Sequence, residues 1–299
     1  MAFPLKIYLC LWVNILLMRL FHHKKTLKKY LASVKAQGKS LGFVPTMGAL
    51  HSGHLAIVKR AARENDAVVV SIFVNPTQFD NPEDLEKYPR TLEADTGKLS
   101  CTYPGVIVFA PAADEVYEKG IGPEKFYFGG LEDEMEGKYR KDHFNGVATV
   151  VKKLLEIVMP QRAYFGEKDY QQLLIVKALV KQGNFPVEVI GCPIEREPHG
   201  LAMSSRNERL PESTRNKAAF IYETLTAAKE KWKTESPEAV KAWVTHQFKN
   251  QPAFTLEYVE IADAETLQPL TTKRNNRKYR IFTAVYADTV RLIDNIALN

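Results

Sequence analysis

Apolar positions along this chain fall into short unbroken runs and helical stripes, and the two alternate. Residues 41–44 (LGFV) read as a short strand that runs into a turn marked by Pro45 and Gly48. Residues 53–64 then set Leu55, Ile57, Val58 and Ala61 at helical spacing. Residues 67–74 (AVVVSIFV) and 106–109 (VIVF) lack polar alternation, as expected of strands covered on both faces. A helix over 147–158, a short strand over 163–165, a helix over 170–182 and a strand over 187–190 continue the alternation. Ahead of them, Thr26 followed by Leu27, Tyr30, Leu31 and Val34 predicts a first helix, ended by Gly38. This rhythm predicts an α/β fold with a doubly wound parallel sheet. Residues 215–233 and 237–249 read as helices, and 256–261, 279–287 and 289–293 as a small antiparallel sheet. The expected organisation is therefore a larger domain over 18–194 and a smaller C-terminal α/β domain over 195–299.

In doubly wound sheets ligands bind beyond the carboxyl ends of the strands, which makes the loops there the first candidates. The loop after the first long strand carries His51 and His54 at the start of a helix. Helix starts hold unpaired N–H groups and the positive end of the helix dipole, and imidazole can donate to phosphate oxygens. Two readings stay open here: a phosphate site, or two histidines capping a surface helix. The loop matches neither the dinucleotide pattern G-x-G-x-x-G nor the P-loop; Gly48 and Gly53 have the P-loop glycine spacing, but His54 stands where its lysine would be. Later strands end in polar loops as well. Asn75-Pro76-Thr77-Gln78-Phe79 offers amides for hydroxyl or carboxylate groups, and Gly166-Glu167-Lys168-Asp169 precedes Gln171 and Gln172. Gly200-Leu201-Ala202-Met203-Ser204-Ser205-Arg206-Asn207 offers two hydroxyls and an arginine, which suit phosphate oxygens. Each loop alone is weak evidence, and their recurrence after successive strands points to a shared site.

Composition narrows the classes. The 299 residues are 45% hydrophobic and 25% charged, an ordinary globular composition, with no repeat at solenoid periods. The net charge of +6 suits an anionic substrate, but 41 basic residues are interleaved with 35 acidic ones, which argues for a solvated mixed surface over a nucleic-acid face. Cys10, Cys101 and Cys192 are far apart and odd in number, which fits a reducing, cytoplasmic setting without structural disulfides. Residues 7–18 are apolar apart from Asn14 and precede Arg19, His22, His23, Lys24, Lys25, Lys28 and Lys29. That run is short for a membrane span, which needs about 20 apolar residues. As a signal peptide it has only Lys6 ahead of it and no small-x-small cleavage site, whereas the basic run after it could retain it as an anchor. The favoured expectation is a start at Met18, with residues 1–17 a non-native or upstream-start extension and no membrane association.

Five ordered motifs carry a resemblance. Pro45-Thr46-Met47-Gly48-Ala49-Leu50-His51-Ser52-Gly53-His54, Phe73-Val74-Asn75-Pro76-Thr77-Gln78-Phe79, Tyr88-Pro89-Arg90-Thr91, Phe165-Gly166-Glu167-Lys168-Asp169-Tyr170-Gln171-Gln172 and Met203-Ser204-Ser205-Arg206-Asn207 together resemble the pantothenate synthetase family, the pantoate–β-alanine ligases. The resemblance runs from about Met18 to the C-terminus. It implies a nucleotidyltransferase-like (Rossmann-like) ligase of pantothenate biosynthesis, on the route to coenzyme A. Pantoate and ATP would form pantoyl adenylate and diphosphate, and β-alanine would displace AMP. By position it implies an ATP site of Met47, Gly48, Ala49, Leu50, His51, Ser52, Gly53 and His54, then Gly166, Glu167, Lys168 and Asp169, then Met203, Ser204, Ser205 and Arg206. His54 would be the general acid, with His51, Lys168 and Arg206 as further catalytic donors, and Gln78 and Gln172 would hold pantoate, Gln78 near β-alanine. Mg2+ would bridge the phosphates, with Asp95 as its candidate ligand; the alternative is a surface carboxylate without a role. A homodimer, and closure of the C-terminal domain as a lid over the nucleotide, are implied too.

This sequence departs from the family at several positions. Lys141 and Asp142 replace a usual proline and glycine between Arg140 and His143. Glu195 stands where a small apolar residue would meet adenosine through its backbone, and His199 where aspartate is frequent. Two other classes make different demands. A transferase moving AMP onto a phosphomonoester would want a basic pocket in place of Gln78 and Gln172 and would show no amine dependence. A nucleic-acid binder would use Lys24, Lys25, Lys28 and Lys29 and leave the five motifs unexplained.

Overall fold

The structure is a computed structural model that describes residues 18–79, 82–118 and 120–299; the expectations for residues 1–17 lie outside them. Strands β1 (Arg19–Phe21), β2 (Leu41–Thr46), β3 (Ala67–Ile72), β4 (Ile107–Phe109), β5 (Arg162–Gly166) and β6 (Glu188–Cys192) form one sheet in the order β1-β4-β3-β2-β5-β6. Every pairing in it is parallel. The long helices among them are α1 (Lys24–Ala36), α2 (Ser52–Glu64), α3 (Leu92–Thr102), α4 (His143–Val158) and α5 (Tyr170–Gln182). β2, β3 and β4 are buried almost throughout, because α1 and α4 pack as one pair and α2 and α3 as another, with both α2 and α4 against β2. One resulting core joins Val44, Val68, Val70 and Val108 of the sheet to Val58, Ala61 and Leu99 of the helices.

Chain order runs outward from β2 through β3 to β4, then reverses to β5 and β6. The reversal point lies between β2 and β5. Their ladder pairs only Gly42 with Arg162 and Phe43 with Ala163, so the carboxyl halves of the two strands leave the crevice in which such sheets bind ligands.

Two differences from the sequence reading concern edges. β1 was not expected, since Arg19 opens a basic run; its backbone nevertheless pairs with β4, and Leu20 remains exposed, as an edge strand permits. β3 stops at Ile72 rather than 74, because Asn75 and Pro76 enter a 3-10 turn, Pro76–Gln78.

Backbone contacts divide the chain into two compact units. The N-terminal unit runs to Phe128 and takes in Arg140–Gly166 and Ile175–Cys192; the C-terminal unit gathers Gly129–Tyr139, Glu167–Leu174 and Pro193–Asn299. The second unit therefore includes two segments that precede the expected boundary at 194/195. Its main core lies between α6 (Ala219–Trp232), α7 (Pro237–Lys249) and an antiparallel sheet of β7 (Thr255–Asp263), β8 (Tyr279–Ala287) and β9 (Val290–Ala297). Met135 joins this unit by packing on Ala262, Leu267 and Phe282. The helix expected over 215–233 is two helices, Glu212–Lys217 and Ala219–Trp232, and β9 runs four residues beyond the expected end at 293.

Candidate active site

In the N-terminal unit the loop after β2 is held in a shape few residues adopt. Gly48 and Ala49 are both left-handed, with φ of 86° and 50°. A Cβ on Gly48 would also stand 3.1 Å from Asp95 Oδ2 and from Ile72 Cγ2, so glycine is required there. The strain at Ala49 is held by Asp95, which is 0% exposed. Asp95 Oδ2 accepts the Ala49 N–H at 2.9 Å and the Thr91 hydroxyl at 3.1 Å, while Oδ1 accepts the Leu50 N–H at 2.8 Å. One turn along α3, Lys98 Nζ donates to the Leu50 carbonyl at 2.6 Å. The loop is thus clamped from one face of α3.

This geometry answers the question posed for Asp95. It is not a surface carboxylate, and both its oxygens serve backbone donors. Among the described residues no three His, Cys, Asp or Glu side chains converge as a metal site. The donor set does not fit a protein-held magnesium ion; Mg2+ that keeps water and phosphate ligands needs no such cage.

The histidine loop ends in α2. His51 is the N-cap residue, and His54 Nδ1 reaches back to accept the N–H of His51 at 3.3 Å. The ring centroids lie 4.0 Å apart. Because Nδ1 of His54 is an acceptor, the neutral ring carries its proton on Nε2. Capping and phosphate binding are therefore compatible, the first fixing the tautomer and the second using the opposite nitrogen.

Gln78 is tied to the same loop. Its Nε2 donates to Met47 Sδ at 2.8 Å, and its Oε1 accepts from Asn75 Nδ2 at 3.1 Å. His143 Nδ1–H donates to the Gln78 carbonyl at 2.8 Å, which leaves His143 Nε2 to accept from Arg140 at 3.0 Å. Burial pushes the Tyr117 hydroxyl up from its ordinary pKa, so it stays protonated and donates to Asn75 Oδ1 at 2.5 Å. Gly146 brings α4 against this turn; a Cβ there would stand 2.1 Å from the Thr77 carbonyl oxygen. Asp142, the N-cap of α4, takes the left-handed conformation, with φ of 58°.

Gly166 closes β5 in the N-terminal unit; the other candidates lie in the C-terminal unit. Glu167–Asp169 is a 3-10 turn whose Glu167 and Lys168 carbonyls accept from Asn295 Nδ2 at 3.0 and 2.9 Å. Arg280 lies 4.1 Å from the Tyr170 ring centroid and donates to Glu167 Oε2 at 3.0 Å. Gln172, on α5, is half-buried, whereas Gln171 is buried and donates to the Leu131 and Glu134 carbonyls. The serine-arginine loop begins in a small hairpin where the Met203 N–H donates to the carbonyl of Glu195, whose side chain is exposed. Ser204 caps the turn by accepting the Arg206 N–H at 3.2 Å. Beneath it, Glu197 accepts from Asn207 Nδ2 at 2.8 Å and from Arg215. Burial pushes the Glu197 carboxyl up, but hydrogen bonds from Arg215 and Asn207 outweigh it and hold the pKa below its ordinary value.

The structure thus places Met47 to His54, Gln78 and Gly166 at the carboxyl ends of β2, β3 and β5, and Glu167 to Asp169, Gln172, Glu195 and Met203 to Arg206 in the C-terminal unit. Sequence reasoning missed Lys98, Glu197, Arg280, Asp294 and Asn295. The last two stand side by side directly after the strand expected over 289–293, where a polar pair reads as a strand end.

A parallel sheet reversing beside a histidine-bearing helix start, with cationic and hydroxyl loops elsewhere in the chain, defines an α/β enzyme of the nucleotidyltransferase-like class, built to handle phosphate. The model of the pantoate-beta-alanine ligase family matches residues 19–297. The chain belongs to that family. Pantothenate synthetases of Christiangramia forsetii and Flavobacterium psychrophilum are 54% and 52% identical to it, over 94% of this chain and all of theirs. A crystal structure of the Thermus thermophilus enzyme superposes with a TM-score of 0.84 at 44% identity, covering 94% of this chain and 99% of that one. The Francisella tularensis pantoate-beta-alanine ligase, crystallised with beta-gamma ATP and beta-alanine, gives 0.75 at 36% identity, covering 94% of this chain and 98% of that one.

Proposed function

We propose that this chain condenses (R)-pantoate with β-alanine at the expense of ATP, through pantoyl adenylate, using the donor loops described above. A pantoate carboxylate oxygen attacks the α-phosphorus of ATP, the bond to the bridging oxygen of the β-phosphate breaks, and diphosphate leaves. The β-alanine nitrogen then attacks the acyl carbon, the carbon–oxygen bond to AMP breaks, and the amine gives up a proton. The first step builds negative charge around phosphorus, so it needs fixed donors rather than covalent help from the protein.

The observation that carries this reading is the bond from the His51 N–H to His54 Nδ1, which makes the neutral His54 ring an Nε2–H donor at the start of α2. His54 acts as the general acid at the leaving phosphate oxygen and His51 beside it as a further donor. The helix start from Met47 to Gly53 receives the phosphates. Gly166, Glu167, Lys168, Asp169, Met203, Ser204, Ser205 and Arg206 complete the ATP site, Lys168 and Arg206 neutralising phosphate charge, and the Glu195 backbone meets the adenosine. Gln78 and Gln172 hold pantoate through its hydroxyl and carboxylate groups. Mg2+ accompanies ATP as the counter-ion of its phosphates, with Asp95 holding the loop rather than the ion. The working form is a homodimer in the cytoplasm. Among the described residues Cys101 and Cys192 are free thiols, and no helix is long and apolar enough to cross a membrane.

The test is substrate omission with the full chain, ATP and Mg2+. Pantoate alone should release about one diphosphate per active site, with multiple turnovers and AMP appearing only when β-alanine is added. His54→Ala should slow diphosphate release about 100-fold or more. AMP formed without pantoate, or full activity in His54→Ala, would contradict the reading.

A further inference from the structure

β9 carries two adjacent buried polar residues, Asp294 at 4% exposure and Asn295 at 2%. Successive residues of a strand face opposite ways, so a polar pair serves two neighbours at once. Asn295 faces the turn that bears Lys168, donating through Nδ2 to the carbonyls of Glu167 and Lys168. Its Oδ1 accepts from Arg280 Nη1, which fixes the amide orientation: guanidinium can only donate and carbonyls can only accept. Asp294 faces the hairpin that leads into Ser204 and Arg206. It binds Arg196 in a two-point pair, at 2.6 and 2.9 Å, and Arg196 donates in turn to the Gly200 carbonyl at 3.0 Å. Arg196 also stacks on Tyr222, 3.7 Å from the ring centroid. Both the Glu167–Asp169 turn and the Ser205–Arg209 turn pack on β9.

We propose that Asp294 and Asn295 form one positioning element for the phosphate chemistry, Asn295 aiming Lys168 and Asp294 aiming Arg206, so that a single strand sets both cationic donors. The proposal rests on the roles assigned above to Lys168 and Arg206. It gives a role to two buried polar residues that stand just past the strand expected over 289–293. Only an amide meets both demands at 295, since aspartate would set a carboxylate against two carbonyl oxygens and leucine would leave them unpaired.

The test is a double-mutant cycle on the single-turnover rate of pantoyl adenylate formation, read as diphosphate release by the full chain. Asn295→Asp, which preserves shape, should lower that rate about 10- to 100-fold, as expected when a catalytic group is misplaced by about 1 Å. In a Lys168→Ala background the same change should cost less than about 2-fold, because its effect has already been removed. Asp294→Asn should behave likewise toward Arg206→Ala, which provides a second arm if the 295 variant does not fold. Losses that multiply independently in both cycles would show that the pair merely supports the fold, and an unchanged rate in folded Asn295→Asp would also overturn the proposal. A Lys168→Ala protein that forms adenylate at the wild-type rate would instead remove the role of Lys168 itself.

Discussion

Asp95 is the residue on which the shape of the histidine loop most depends. Its carboxylate accepts two backbone N–H groups and a hydroxyl, and the two N–H donors belong to a left-handed alanine and the residue after it. Asp95→Asn presents an amide to those N–H groups and leaves at least one without an acceptor, which costs about 1–3 kcal/mol. The expected result is a 10- to 100-fold loss of adenylate formation, on the order of that free energy, together with a lower melting temperature. Raising the Mg2+ concentration should not restore the rate. Recovery of activity with metal would return Asp95 to the role of ion ligand. Buried carboxylates and metal-binding carboxylates look alike in a sequence, and here burial and the two backbone donors separate them.

At the scale of elements, the contact between α4 and the 3-10 turn Pro76–Gln78 has the least room. Gly146→Ala would set a methyl group 2.1 Å from the Thr77 carbonyl oxygen and force the turn or the helix to move. It should destabilise the protein by about 1–3 kcal/mol in urea titration and weaken the response to pantoate, because Gln78 moves with Thr77. A variant with wild-type stability would mean that the helix does not close on the turn. The central elements were legible because long apolar runs and strong helical stripes leave few alternatives: α5 and α7 begin and end where their patterns do. β1 was not legible, since three residues beginning with arginine join the sheet only through backbone pairing. β9 reads as too short in the sequence because Asp294 and Asn295 resemble a strand end, although they are buried anchors. The motif residues of the site were legible, whereas the side chains that hold them, Lys98, Glu197 and Arg280, lie in other elements and carry no local signature.

At the scale of the whole molecule, the donor loops are set by buried charge networks, and these respond to acid. The Glu197 carboxyl is held below its ordinary value of 4.5, with Arg215 and Asn207 outweighing burial. A depressed carboxylate contributes its full stabilisation above its unfolded pKa and loses it as pH falls through the folded value. Glu197→Gln should therefore destabilise the protein by about 1–3 kcal/mol near pH 7, and the gap to the wild type should narrow as pH falls below about 4. Urea titrations at both pH values check this, and a gap independent of pH would contradict it. The central claim, that pantoate is activated as an acyl adenylate, is tested most directly by isotope transfer. With both pantoate carboxylate oxygens replaced by a heavy isotope, the account predicts one heavy oxygen in AMP and one in the amide carbonyl of the product. Unlabelled AMP, with the heavy oxygen in diphosphate or inorganic phosphate, would contradict it.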